Sequence, residues 1–132
     1  MMTISELENF AAAYAQAWSS HHPEAVAAFY TKNGAISVNG GTPAPITEVA
    51  RSFMRDFPDM IVTFNKLEPR GDLIAFHWTL TGTNTGPGGS GNPIRISGYE
   101  LWKFDESGLI AESKGNFDAA EYHRQLNAHS CG

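Results

Sequence analysis

Glu100 is the side chain whose setting most suggests chemistry. It lies in IRISGYELWKF, residues 94–104, where Ile94, Ile96, Gly98, Trp102 and Phe104 share its side of a period-two pattern. Arg95, Ser97, Tyr99, Leu101 and Lys103 fall on the other side. A carboxylate on the apolar face of a strand is costly to ionise, so burial beside Trp102 predicts a raised pKa, the tuning that proton-transfer catalysis uses. Two other outcomes are open at this point: Gly98 marks a bulge that turns Glu100 outward, or a basic side chain pairs with it. Asp118 is the second candidate for acid/base work. It follows the last strand pattern and opens DAAE, so it is either a carboxylate at the mouth of a pocket or simply the N-cap of a final helix.

The candidate ligand walls are aromatic. Tyr14, Trp18, Phe29, Phe53 and Phe57 recur at helical spacing, and Trp78 and Trp102 sit on apolar strand faces. Such a stripe serves equally well as plain core. A buried Tyr14 needs a partner for its hydroxyl, which makes it the aromatic best suited to touch a polar ligand atom, and Asn39 is a second polar candidate. Along LIAESKGNF, residues 109–117, the face formed by Leu109, Ala111, Ser113, Gly115 and Phe117 contains small side chains. They leave room around Ser113 for a cavity, or for Trp102 to fill.

Other chemistries find less support. In LIAFHWTLTGTN, His77 falls opposite the apolar face of Ile74, Phe76, Trp78 and Leu80 and reads as outward-facing. His21 and His22 precede Pro23 without acidic or cysteine neighbours, so no metal site is expected. TGPGGSGNP is followed by a strand pattern and lacks the lysine of a phosphate loop, so it reads as a hairpin connection. Cys131, the one cysteine, has no internal partner for a disulfide.

These side chains must be positioned by two kinds of element. Leu7, Phe10, Ala11, Tyr14 and Trp18 predict a helix from about Ser5 to Ser19, with Thr3 and Glu6 as a capping box. Pro23 opens a short second helix with Val26, Phe29 and Tyr30 on its apolar face, stopped by Asn33-Gly34. AISVN reads as a brief strand, GGTPAP as a loop, and ITEVARSFMRDF as a third helix burying Val49, Phe53 and Phe57. From Met60 the period changes to two. Four strands follow, MIVTFNKLEP, LIAFHWTLTGTN, IRISGYELWKF and LIAESKGNF, and their short connections predict antiparallel pairing. The expected class is α+β, with helices first and a curved sheet afterwards.

With 132 residues the chain is expected to form one domain, residues 1–132, around one core. A net charge of −5 without Lys/Arg clusters argues against nucleic acid as a partner. No apolar run is long enough to span a bilayer and no leader pattern opens the chain, so a cytoplasmic protein is expected, with no membrane partner.

The stretches AYAQAWSSHHPEAVAAFYTKNGAISVNG, FMRDFPDMIVTF, GDLIAFHWTLTGTNTGP and SGYELWKFDESGLIAES resemble, in order and spacing, the SnoaL-like polyketide cyclase group of the nuclear-transport-factor-two-like superfamily. The resemblance implies a cone of three N-terminal helices packed on a strongly curved antiparallel sheet, with a short C-terminal helix. It also implies a pocket between helices and sheet, and a homodimer through the outer sheet face, here carrying His77, Thr79, Thr81, Tyr99 and Leu101. In cyclases of this type an Asp on the last strand is the acid/base residue. This chain departs from that pattern, reading Ser113, Lys114 and Gly115 in the corresponding stretch. The expected activity is cofactor-independent proton transfer on a hydrophobic, carbonyl-bearing small molecule, with a cyclase, isomerase or dehydratase outcome. The alternative is a ligand-binding or dimeric accessory protein of the same fold without turnover.

Overall fold

The computed structural model describes residues 2–128, so Cys131 lies outside the described residues. The first helix, α1 (Ile4–Ser19), starts at the expected capping box: Thr3 Oγ1 accepts from Glu6 N at 3.1 Å, and Glu6 Oε1 accepts from Thr3 N at 3.0 Å. Its inner stripe, Ala11, Tyr14, Ala15 and Trp18, is buried. The second helix, α2 (Pro23–Ala27), is shorter than its sequence pattern suggests. Phe29 O accepts a hydrogen bond from Ile110 N, and Tyr30 already pairs with Ile110, so strand pairing takes this segment away from the helix.

Strand β1 (Tyr30–Val38) therefore includes Asn33-Gly34, which was expected to end a helix. Those two residues lie in an irregularity between Tyr30 and Ala35, and a Cβ on Gly34 would run into the Tyr30 side chain. The segment expected as loop forms β2 (Ala44–Pro45) before α3 (Ile46–Asp56), whose C-cap is Phe57. Then come β3 (Ile61–Arg70), β4 (Leu73–Thr83), β5 (Pro93–Phe104), β6 (Ile110–Phe117) and α4 (Ala119–Leu126). Among the described residues, no helix is long and apolar enough to cross a membrane.

The fold is α+β, with the helices on a six-stranded sheet ordered β2-β1-β6-β5-β4-β3. Neighbours pair antiparallel except β1 and β6, which run parallel and make the sheet mixed. Short connections force antiparallel pairing only between strands consecutive in sequence, whereas β1 and β6 meet across most of the chain. Irregularities in β1, in β3 near Asn65 and in β6 near Ala111 bend the sheet around the helices. The extra residue in β6 also changes its inward set at one end, so Ile110 is buried where Leu109 and Ala111 were expected to face the core.

Two features of the sheet hold Glu100 in place. β4 and β5 pair in unbroken register from Ile74 opposite Trp102 to Thr83 opposite Pro93, so Gly98 makes no bulge and the alternation through Glu100 is preserved. In that register Glu100 lies between Phe76 on β4 and Gly115 on β6. On the outer face, His77 Nε2 lies 3.0 Å from Glu68 Oε1, and the Arg70 guanidinium stacks over Tyr99 at 4.6 Å.

Candidate functional site

Glu100 is buried, with 6% of its surface exposed, and its carboxyl is surrounded by neutral donors rather than by a cation. Oε1 accepts from Tyr14 Oη at 2.8 Å, Ser113 Oγ at 2.8 Å and Trp102 Nε1 at 3.0 Å, with Tyr30 Oη further off at 3.5 Å. Tyr14 and Tyr30 hydroxyls are 2.7 Å apart. Each hydroxyl owns one hydrogen. Since Tyr14 donates to Glu100, Tyr30 donates to Tyr14, and a directed chain runs from β1 through α1 to β5. Phe76 stacks on Trp102 at 4.8 Å, and the Tyr14 ring meets Trp102 edge-on at 5.0 Å, fixing the donors.

The electrostatics follow from this burial. Loss of water pushes the Glu100 carboxyl above its ordinary value, and the hydrogen bonds from Trp102, Tyr14 and Ser113 offset only part of that push. The Tyr14 and Tyr30 hydroxyls are raised well above the ordinary tyrosine value, first by burial and then by the neighbouring Glu100 charge, so both remain protonated donors.

Three donors, from Tyr14, Ser113 and Trp102, converge on Oε1 and none on Oε2, yet Oε2 is not among the buried atoms left without a partner. It is the oxygen open to a cavity of about 50 Å³, lined by Glu100 with Trp18, Phe53, Trp78, Phe117 and Tyr122 and by aliphatic side chains. That volume is well above the roughly 10–15 Å³ that a cavity needs to hold one water. Gly115, directly across from Glu100, keeps it open: a Cβ there would make only ordinary contacts, 3.6 Å from Ile36 Cδ1 and 3.8 Å from Glu100 Cγ. The half-buried members Val49, Phe53, Phe117 and Tyr122, from α3, β6 and α4, mark the mouth.

The residues singled out in the sequence divide into three groups. Trp18, Phe53, Trp78 and Glu100 line the cavity. Tyr14, Trp102 and Ser113 stand behind Glu100 and hold its other oxygen. Phe29, Phe57, Asn39 and Asp118 are elsewhere. Phe29 packs on Phe10 and Tyr14, while Phe57 is fully buried beside Tyr122. Asn39 takes a positive φ and accepts from Phe117 N at 2.8 Å, a structural clasp between β1 and β6. Asp118 is exposed and accepts from Glu121 N at 3.0 Å; it caps α4 and borders an outer-face groove with Tyr99 and Asn116, away from Glu100. The helix that follows Asp118 thus uses the carboxylate as its cap. His21 and His22 are exposed.

Sequence reasoning missed Tyr30, which it placed on a helix, and Tyr122, which closes the mouth. Nothing local marks Tyr30, because its partners are 16 and 70 positions away.

The model of the SnoaL-like polyketide cyclase family matches residues 8–126. The chain belongs to the SnoaL-like polyketide cyclase family. No curated protein matches its sequence. Several solved structures share the SnoaL-like fold at low identity. TsrD from Streptomyces laurentii superposes with a TM-score of 0.80 at 18% identity, covering 98% of this chain and 100% of that one. AclR, a candidate hydroxylase from Streptomyces galilaeus, gives 0.79 at 14%, covering 98% and 86%. A protein with a ketosteroid isomerase-like fold from Catenulispora acidiphila, in complex with trimethylamine, gives 0.75 at 16%, covering 89% and 91%.

Proposed function

We propose that this SnoaL-like protein is a cofactor-independent acid/base enzyme acting on a small, mainly apolar carbonyl compound, with Glu100 as the proton-transferring group. The observation that carries this reading is the asymmetry of one carboxylate, with Oε1 held by Tyr14, Ser113 and Trp102 while Oε2 faces an apolar cavity. Oε2 takes a proton from the carbon next to the carbonyl, and the C–H electron pair passes into an enolate. The protonated Glu100 then returns that proton to another carbon in an isomerisation, or to the alkoxide formed when the enolate carbon attacks a second carbonyl in a ring closure. A base with a raised pKa suits this work, because it holds the proton between the two half-reactions. Glu100 does from β5 what the family's Asp does from the last strand, where this chain has Ser113 and Gly115 facing it.

The test is solvent deuterium exchange at the α-carbon of small cyclic ketones and 1,3-diketones, followed by NMR. Glu100→Gln keeps the fold, since the amide oxygen can accept at the Oε1 position while the NH₂ faces the cavity. It should lower the exchange rate about a hundredfold or more. Equal rates in the two proteins would refute the assignment.

A second reading has a specific observation behind it. Five aromatic side chains and one carboxylate without a cationic partner among the described residues also suit a small ammonium ligand, and the Catenulispora neighbour holds trimethylamine. Saturable binding of trimethylammonium lost in Glu100→Gln, with no α-exchange on any ketone, would favour a binding protein.

A further inference from the structure

Gly115 is the glycine that the fold itself does not require. Among the described residues, the other glycines either take a positive φ or leave no room for a side chain: a Cβ on Gly98 would collide with Asn116 O and the Trp78 ring, and one on Gly82 would stand 3.2 Å from Phe57 Cβ. Gly115 has neither reason. Its φ lies outside the left-handed region, and a Cβ would meet Ile36 Cδ1 and Ser37 O at 3.6 Å and Glu100 Cγ at 3.8 Å, all ordinary contact distances. Glycine inside a strand weakens it, and here that weakness falls at the position of β6 that pairs with Glu100.

The space over Gly115 belongs to the cavity. Ser113, Gly115 and Phe117 lie opposite Trp102, Glu100 and Gly98 along the inward side of β6. Ser113 donates to Oε1 and Phe117 is half-buried at the mouth, so Gly115 forms the wall between floor and mouth. On its other side it pairs with Val38 of β1, which lines the cavity together with Ile36. A side chain on Gly115 would therefore lie between Ile36 and the Glu100 carbon that carries the carboxyl.

We propose that Gly115 determines specificity: the place its missing side chain leaves is taken by a substituent on the carbon from which Glu100 removes the proton, so the site favours α-substituted carbonyl compounds over unsubstituted ones. This rests on the carbonyl-substrate reading above and adds to it which carbonyl compounds fit. A methyl group placed there meets Ile36 and the Glu100 methylenes, leaving water and gaining dispersion contacts that an unsubstituted ligand forgoes.

The experiment compares wild type with Gly115→Ala, using cyclohexanone and 2-methylcyclohexanone as probes. Binding is read by calorimetry and by the fluorescence of Trp18 and Trp78, which line the cavity. Wild type should bind 2-methylcyclohexanone about tenfold more tightly than cyclohexanone. In Gly115→Ala the alanine methyl occupies the ligand methyl's place, so that preference should disappear or reverse. The melting temperature should stay the same or rise, because alanine gives the unfolded chain fewer conformations than glycine does. The same preference in both proteins, a lowered melting temperature, or no saturable binding of either ketone to wild type would overturn the proposal. Failure here is separable from failure of the base assignment: an unchanged preference in Gly115→Ala with α-exchange lost in Glu100→Gln removes only the role of Gly115. A preference lost in Gly115→Ala with exchange insensitive to Glu100→Gln removes only the base.

Discussion

The two ends of the cavity are built differently. At the floor, Tyr14 and Trp102 are fully buried, Tyr30, Ser113 and Glu100 nearly so, and every hydroxyl and indole contact to Glu100 comes from a different element or strand position. At the mouth, α4 contains no buried residue, and its Tyr122 is half-buried against Phe117 and Phe57. Besides the packing of Tyr122 and Leu126 on the core, polar contacts hold α4 there. Gln125 brackets Arg95, accepting from its N at 2.7 Å and donating to its O at 2.9 Å, and Asn92 donates to Leu126 O at 2.8 Å. Fixed geometry is therefore concentrated where a proton would be transferred. The mouth of the cavity is bordered by contacts that open at lower cost.

Replacing the floor's common acceptor should have the largest effect. Glu100→Leu leaves the Trp102 indole and the Tyr14 and Ser113 hydroxyls facing hydrocarbon, so urea unfolding should show a loss of about 3 kcal/mol or more, whereas Glu100→Gln should lose far less. Similar losses for both variants would mean that the donors do not depend on Glu100, and the contrast between floor and mouth would weaken.

Tyr14→Phe is the next step down. It removes one bond to Oε1 and takes from the Tyr30 hydroxyl its 2.7 Å partner, leaving it only the longer 3.5 Å approach to Glu100, with an expected cost of about 1–3 kcal/mol. Because the Tyr14 bond favours the carboxylate, its loss moves the Glu100 pKa further up. The limb of the pH–rate profile that reports ionisation of the base should then shift to higher pH, and a shift to lower pH would contradict the hydrogen-bond direction assigned here.

The smallest effect on stability is expected at the mouth. Gln125→Ala removes the bracket on Arg95 and should change the unfolding free energy by less than about 1 kcal/mol, since those groups reach water when released. Backbone amides of α4 should nonetheless exchange with deuterium faster, while those of β5 around Glu100 stay protected. Uniformly faster exchange across both regions would show that floor and mouth open together.

How far each region could be read in advance follows the same division. The strand alternation through Glu100 and Trp102, the apolar face of Phe76 and Trp78, the capping box at Thr3 and the cap at Asp118 are local patterns, and they held because backbone periodicity decides which face a side chain takes. The extent of the second helix, the strand at Ala44–Pro45 and the inward set of β6 near Ala111 were not local. A parallel partner strand, an edge pairing and a bulge override propensity there.

By itself, then, the sequence put a carboxylate in an apolar strand pattern beside a small-residue strand and aromatic helices, and left open whether a bulge at Gly98 would turn it outward. Only the tertiary structure decided that neutral donors, not a cation, would meet that carboxylate, that Tyr30 would extend the set through Tyr14, and that Oε2 would be the open oxygen. The physical reason is range. A strand's inward face is set by neighbours two residues away, whereas the contacts of Glu100 join residues up to 86 positions apart, brought together only when the sheet closes over α1.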